Sequence, residues 1–185
     1  MNLRAHRASK KPLEVLAFDE PRFGLITWHK RRYCPKAVRP PWIVQHVYKW
    51  SWLYAAVEPT TGESFCLYLP HLDANCFEVF LEHLSRAYPE HRLVLVLDNA
   101  PAHLAGGLEL PENITLLPLP TYSPELNPVE RWFEEFRRAL ANIRFESIDA
   151  LHRATTRVIE PYWHDPAKLG QLTGFPWWRK AVEQL

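Results

Sequence analysis

At 185 residues, 47% hydrophobic and 23% charged, the chain has the size and balance of one globular domain with a real core. No run of about 18 apolar residues occurs, which excludes a membrane-spanning helix, and the basic start MNLRAHRASKKPLE lacks the apolar stretch of a secretory signal. Net charge is only +1, yet residues 1–40 carry ten Lys/Arg against three acids, whereas residues 41–185 carry twelve against eighteen.

EVLAFDE (14–20) reads as a short buried strand ending in acids. WLYAAVEP (52–59), a TG turn at 61–62 and SFCLYLP (64–70) read as a hairpin of two strands. From Ala74 to Tyr88 the apolar positions Phe77, Phe80, Leu81 and Leu84 recur at helical spacing. RLVLVLD (92–98) is the strongest buried-strand signal, a continuous aliphatic run. A turn-rich stretch with room for one optional helix leads to another strand, ITLLPLP (114–120). A helix is expected from Pro128 to Asn142, with Asn127 as N-cap, Pro128 at the first helical position and Glu130 where a capping-box acid would sit. A further helix spans Ser147 to Trp163, and an aromatic tail (164–185) with Trp177 and Trp178 is expected to pack onto the core. The domain is thus placed at 13–163, after a basic arm at 1–12. That arm suits phosphate binding beside an acidic body, and equally a solvated tail. The order β-β-β-α-β-(α)-β-α-α gives an α/β fold with a central mixed sheet flanked by helices.

Three acids stand at element ends: Asp19, Asp98 and Glu130. Ligand sites in open sheets form outside strand ends, where loops from different elements converge, and hard divalent cations need oxygen ligands. Each acid also has a plain reading: Asp19 as a solvated strand end, Asp98 as turn chemistry in DNAPAH, Glu130 as a helix cap. On helix 128–142, Val129, Trp132, Phe133, Phe136 and Leu140 form the core stripe, with Glu130 and Arg137 on one flank of it, so Arg137 suits a phosphate contact; Glu134 is a competing ligand. His103, five residues after Asp98, fits a phosphate contact, a proton carrier or a hydrogen-bonded structural histidine. His29 and His46 have no partner visible in sequence. Lys30, Arg31, Arg32, Lys36 and Arg39 are placed on one loop, where their cations suit phosphate contacts. Three scattered cysteines, Cys34, Cys66 and Cys76, argue against a disulfide framework or zinc knuckle and for a reducing cytosol. No HExxH, GxSxG or Walker loop occurs, so zinc, serine-hydrolase and P-loop chemistries fall away.

FDEPRFGL (18–25), VLDNAPAH (96–103) and LPTYSPELNPVERWF (119–133) resemble, in order, the three blocks of the IS630 branch of the IS630/Tc1/mariner transposases, over residues 13–160. The resemblance implies a ribonuclease-H-like core, a metal-binding catalytic triad of Asp19, Asp98 and Glu130, two Mg2+ ions for which Mn2+ substitutes, and cleavage of element ends followed by strand transfer. It implies that Asn99 shapes the turn carrying Asp98, and that Asn127 and Pro128 fix the helix presenting Glu130. The Asp98–Glu130 spacing is shorter than in the Tc1 and mariner relatives, fitting a bacterial member with a loop trimmed at Gly106–Gly107. The implied partners are double-stranded DNA, as transposon ends and target, an upstream helix-turn-helix reading-frame product, and a second copy in a homodimer. No membrane is implied; the location is cytoplasmic and nucleoid-associated. The first strand begins near Glu14, so the expectation is a catalytic domain without the helix-turn-helix domain. Two alternatives use the same residues: a stand-alone ribonuclease-H-like nuclease or resolvase, and a decayed copy acting as a non-catalytic DNA-binding partner.

Overall fold

The computed structural model describes residues 11–41 and 43–184. The basic arm expected at 1–12 therefore lies outside the described residues, Lys11 and Pro12 excepted.

Six strands form one sheet: β1 (Leu13–Asp19), β2 (Arg22–Ile26), β3 (His46–Val57), β4 (Ser64–Leu69), β5 (Arg92–Leu97) and β6 (Ile114–Pro118). Helix α1 (Ala74–Ala87) joins β4 to β5; α2 (Val129–Ala139), α3 (Ile148–His164), α4 (Pro166–Thr173) and α5 (Pro176–Val182) follow the last strand. β5 runs parallel to β1 and β6 on its two sides, while β3 is antiparallel to β1, β2 and β4. The register explains how β3 serves three partners. Asp19 faces Ala55 and Arg22 faces Trp52 in unbroken register, while β4 pairs with the same stretch of β3 from Trp52 to Val57. So β1 and β2 lie end to end along one edge of β3, separated by Glu20–Pro21, and β4 takes the other edge.

Alternation along the strands sends apolar side chains to two cores. Val15, Ala17, Leu53, Ala55, Val57, Val94 and Val96 face α2–α5, packing on Trp132, Phe133, Phe136, Leu151, Ile159, Leu169 and Trp178. Leu16, Phe18, Tyr54, Ala56, Leu93, Leu95 and Leu97 face α1, where Phe77, Phe80, Leu81 and Leu84 cover them. A strand covered on both faces needs apolar residues at every position, hence the continuous run in β5. Two caps fix the helices above and below: Asp73 Oδ1 accepts from Cys76 N–H at 2.8 Å, and Ser147 Oγ from Ala150 N–H at 3.0 Å. At the β3–β4 turn Gly62 has φ of 84°, and a Cβ there would lie 1.8 Å from the Pro166 carbonyl oxygen, so only glycine lets the hairpin tip meet α4.

Several expectations need correction. β2 was not anticipated, and β3 begins at His46, not Trp52. The optional helix between β5 and β6 is absent; turns occupy that stretch, where Pro101, Gly106, Gly107 (φ 103°) and Pro111 interrupt any helical run. Helix α2 ends at Ala139 with Leu140 as C-cap, and Asn142 takes a left-handed φ of 59° in the turn that follows. In the tail Trp178 is buried and Trp177 is 40% exposed, and Trp163, near the end of α3, is 46% exposed. No helix among the described residues is long and apolar enough to cross a membrane.

Candidate active site

The carboxyl ends of β1 and β5 lie side by side, because these strands are parallel neighbours. Asp19 closes the first and Asp98 follows the second. Helix α2 starts against the same end, so Glu130 joins them. The three acids line one open cleft of about 320 Å³, whose wall also includes Asn99, Thr121, Tyr122, Ser123 and Asn127. The competing acid Glu134 does not line it and is paired with Arg131 at 2.6 Å on the helix surface.

Two asparagines staple the cleft together. Asn99 Nδ2 donates to the Leu119 carbonyl at 2.6 Å, tying the Asp98 turn to the end of β6. Asn127 Nδ2 donates to the Phe18 carbonyl at 2.8 Å, and its Oδ1 accepts from Val129 N–H at 3.3 Å. Asn127 is extended and Pro128 is already helical (φ −59°, ψ −26°), so Asn127 caps α2 and anchors it to the end of β1 in one step. Glu130 makes no capping box: its Oε2 accepts from both Arg137 nitrogens at 3.2 and 3.3 Å. Arg137 is thus on the cleft margin but engaged with an acid.

Strand alternation puts Asp19 on the α2 face and Glu20 on the α1 face. Asp19 Oδ1 accepts from Glu20 N–H at 2.7 Å. Burial, then the negative charges of Glu20, Glu130 and Asp98, push the Asp19 carboxyl up to about 8. Asp98 is different: its side chain is 61% exposed, and Oδ1 accepts from Ala100 N–H at 2.9 Å. His103 Nδ1 donates to the Asp98 backbone carbonyl at 3.3 Å and lies 3.0 Å from the same carboxylate oxygen, and His103 Nε2 lies 2.8 Å from Glu20 Oε1. His103 and Glu20 are both buried. Burial alone would lower the imidazole's affinity for a proton; the hydrogen bond and charge of Glu20, with Asp98 behind it, raise it above the ordinary value. Glu20 itself is raised by burial, against the opposing pull of His103.

In the sequence Glu20 is only the second of the two acids that end EVLAFDE. The alternation of β1 points it to the opposite face, but no local pattern reveals a partner 83 positions away. Lys30, Arg31, Arg32, Lys36 and Arg39 are exposed on the segment between β2 and β3, as is His29. Its base is tied down: Thr27 N–H donates to Gln45 O, and Asn142 exchanges hydrogen bonds with Lys30 N–H and O at 3.2 and 3.0 Å. These cations do not line the cleft.

Among the described residues no three His, Cys, Asp or Glu side chains are already disposed as a metal cage. Glu130 is turned to Arg137. Asp98 Oδ2 has no hydrogen-bond partner among the described residues. The donor set is all carboxylate oxygen, the chemistry of Mg2+ or Mn2+ and not of zinc.

The y4pE/y4sA protein of Sinorhizobium fredii, itself uncharacterized, is 37% identical over 102 residues, covering 54% of this chain and 76% of that protein. The Tcb1 transposase of Caenorhabditis briggsae is 28% identical over 142 residues, covering 68% of this chain and 51% of that one. Among solved structures, the mariner Mos1 paired-end complex with Mn aligns with a TM-score of 0.62 at 23% identity, over 87% of this chain and 54% of that chain. The Mos1 strand transfer complex gives 0.59 at 21% identity, over 91% and 54%. At these identities the likeness is one of fold, a ribonuclease-H-like mixed sheet flanked by helices. The chain spans about half the length of the Tcb1 and Mos1 chains. All three acidic blocks fall within residues 14–152, which match the DDE superfamily endonuclease family, and the chain belongs to that family.

Proposed function

We propose that this chain holds the catalytic centre of an IS630-type DDE transposase, which cleaves DNA at transposon ends and joins them to a target. The observation that carries the reading is the meeting of Asp19, Asp98 and Glu130, from three distant parts of the chain, in one cleft at the strand ends. The crowding that pushes the Asp19 carboxyl upward also supports it, since a divalent cation relieves that repulsion. Asp19, Asp98 through its free Oδ2, and Glu130 once released from Arg137 would hold the cations. Two Mg2+ ions, or Mn2+, supply charge stabilisation for the attacking and leaving oxygens of an in-line displacement at phosphorus.

The chain's own residues do the placing. Asn127 sets α2 against β1, and with it the distance between Glu130 and Asp19; Asn99 holds the Asp98 turn on β6. Hydrolysis breaks a P–O3′ bond and leaves a 3′-hydroxyl. That hydroxyl attacks a target phosphodiester, forming one P–O bond and releasing the target's 3′-oxygen as a hydroxyl. No protein nucleophile takes part. The reading takes double-stranded DNA as substrate, a homodimer as assembly and the nucleoid-associated cytoplasm as location. It leaves recognition of the terminal repeats to a helix-turn-helix segment outside these residues, in keeping with the Tcb1 and Mos1 chains, of whose length this chain spans about half.

The test is nicking of supercoiled plasmid with Mg2+ or Mn2+, and joining of a pre-cleaved donor end to that plasmid. Wild type is expected to do both, and Asp19→Asn, Asp98→Asn and Glu130→Gln neither. Cleavage without joining turns the reading to a nuclease or resolvase. Asp19→Asn activity equal to wild type sinks the triad, and an inert wild type that still binds DNA points to the decayed copy.

A further inference from the structure

We propose that Glu20 is a positioning residue: through His103 it fixes the Asp98 carboxylate so that Oδ1 is held and Oδ2 is left for a cation. This rests on the reading of Asp98 as a metal ligand. The geometry is a chain of three groups. Glu20 Oε1 is 2.8 Å from His103 Nε2, and His103 Nδ1 donates to the Asp98 backbone carbonyl at 3.3 Å while lying 3.0 Å from Asp98 Oδ1, so it holds the turn and its carboxylate together. The first two side chains are 3% and 1% exposed, and the third is 61% exposed. The imidazole is packed between Phe77 and Phe18, with ring centroids at 4.6 and 5.7 Å, so it cannot swing away from the line joining the two acids.

A buried acid–imidazole pair is weak evidence for stability, because well-packed apolar residues of similar volume hold a core as well or better. What an apolar pair does not provide is a grip on Asp98. An exposed aspartate on a turn has free rotamers, and the Ala100 N–H restrains one oxygen from one side only. His103 restrains it from the other. Outer partners that orient a metal ligand change metal affinity by about 10–100-fold when removed, so the effect is measurable without catalysis.

The decisive variant is Glu20→Leu combined with His103→Phe, which fills the same space beside Phe18 and Phe77. Its thermal midpoint is expected at or above that of wild type, while Mn2+ affinity, read from the EPR signal of free Mn2+, drops ~10–100-fold. Wild-type Mn2+ affinity in this folded variant overturns the proposal and leaves the pair purely structural. If the double variant fails to fold, Glu20→Gln and Glu20→Asp decide. The amide still reaches Nε2 and keeps most of the affinity; the shortened acid does not reach and loses it. Equal affinity of both with wild type overturns the proposal. Asp98→Asn separates the two levels: lost binding there with retained binding in the double variant removes only the tether, whereas retained binding in Asp98→Asn removes the metal-site reading as well.

Discussion

Asp19 sits where burial and repulsion act in the same direction. Its carboxyl is pushed from an ordinary 3.8 up to about 8, first by burial and then by Glu20, Glu130 and Asp98. The folded protein therefore keeps a proton that the unfolded chain gives up near pH 4, and stability falls as pH rises between those values. Glu20, also raised by burial, contributes in the same sense. His103, raised by its carboxylate partners, contributes stability that is fully present at low pH and lost as pH climbs through its folded value. The metal-free thermal midpoint in chelator is thus expected to decline from pH 5 to pH 9, and Asp19→Asn to flatten that decline. Mg2+ or Mn2+ should raise the midpoint more at pH 9 than at pH 5. A profile that rises with pH would contradict the crowded cleft. Glu130 behaves differently, because its partner Arg137 is 43% exposed in its side chain. Such a pair contributes about 0–1 kcal/mol, so Glu130→Gln is expected to stay within that range in urea unfolding while abolishing plasmid nicking.

Asn127 works as a joint between elements, donating to the end of β1 while capping α2. Asn127→Ala leaves the buried Phe18 carbonyl without its donor and is expected to cost ~1–3 kcal/mol. Ile159→Val, in the core of α3, costs a comparable ~0.5–1.5 kcal/mol but touches no cleft residue. Nicking rates at a temperature where both are folded separate the roles: Asn127→Ala should be slow and Ile159→Val near wild type. Equal rates would mean that α2 holds its place without the joint. The capping half of this joint was legible in the sequence, since Asn-Pro before an amphipathic stripe is a helix start by simple chemistry; its bond to β1, 109 positions away, was not. Legible too was β5, whose aliphatic run has no other reading in a chain this size. β2 was not, because RFGLI has a glycine at its centre and a proline before it, both poor strand signals. The first half of β3 was hidden for another reason: residues 46–49 are exposed, and without a buried face the alternation carries no apolar signal. The Glu20–His103 contact forms only through the parallel pairing of β1 with β5, which no local window contains.

Among the described residues, a run of exposed cations lies outside the cleft that gathers the three acids. The segment between β2 and β3 carries Lys30, Arg31, Arg32, Lys36 and Arg39 in the open, while its base is fixed through Asn142 to the far end of the helix that presents Glu130. If DNA is the substrate, as proposed, a cation-bearing loop fixed to the helix that presents Glu130 would position it relative to the cleft, whereas the same cations on a free tail would only raise local concentration. Arg137 adds less, being engaged with Glu130. Each phosphate contact releases counterions and contributes about 0.9 to the slope of log affinity against log salt. Replacing the five loop cations by alanine is therefore expected to weaken duplex binding uniformly across sequences and to flatten the salt dependence between roughly 50 and 200 mM, as read by fluorescence anisotropy. Mn2+ binding should be untouched, because none of the five lines the cleft. An unchanged slope would move the DNA path off this loop, and a reduced Mn2+ affinity would mean that the loop shapes the cleft through its anchor at Asn142. The outcome in which slope falls and metal binding holds is the one that separates where the DNA is gripped from where it is cut.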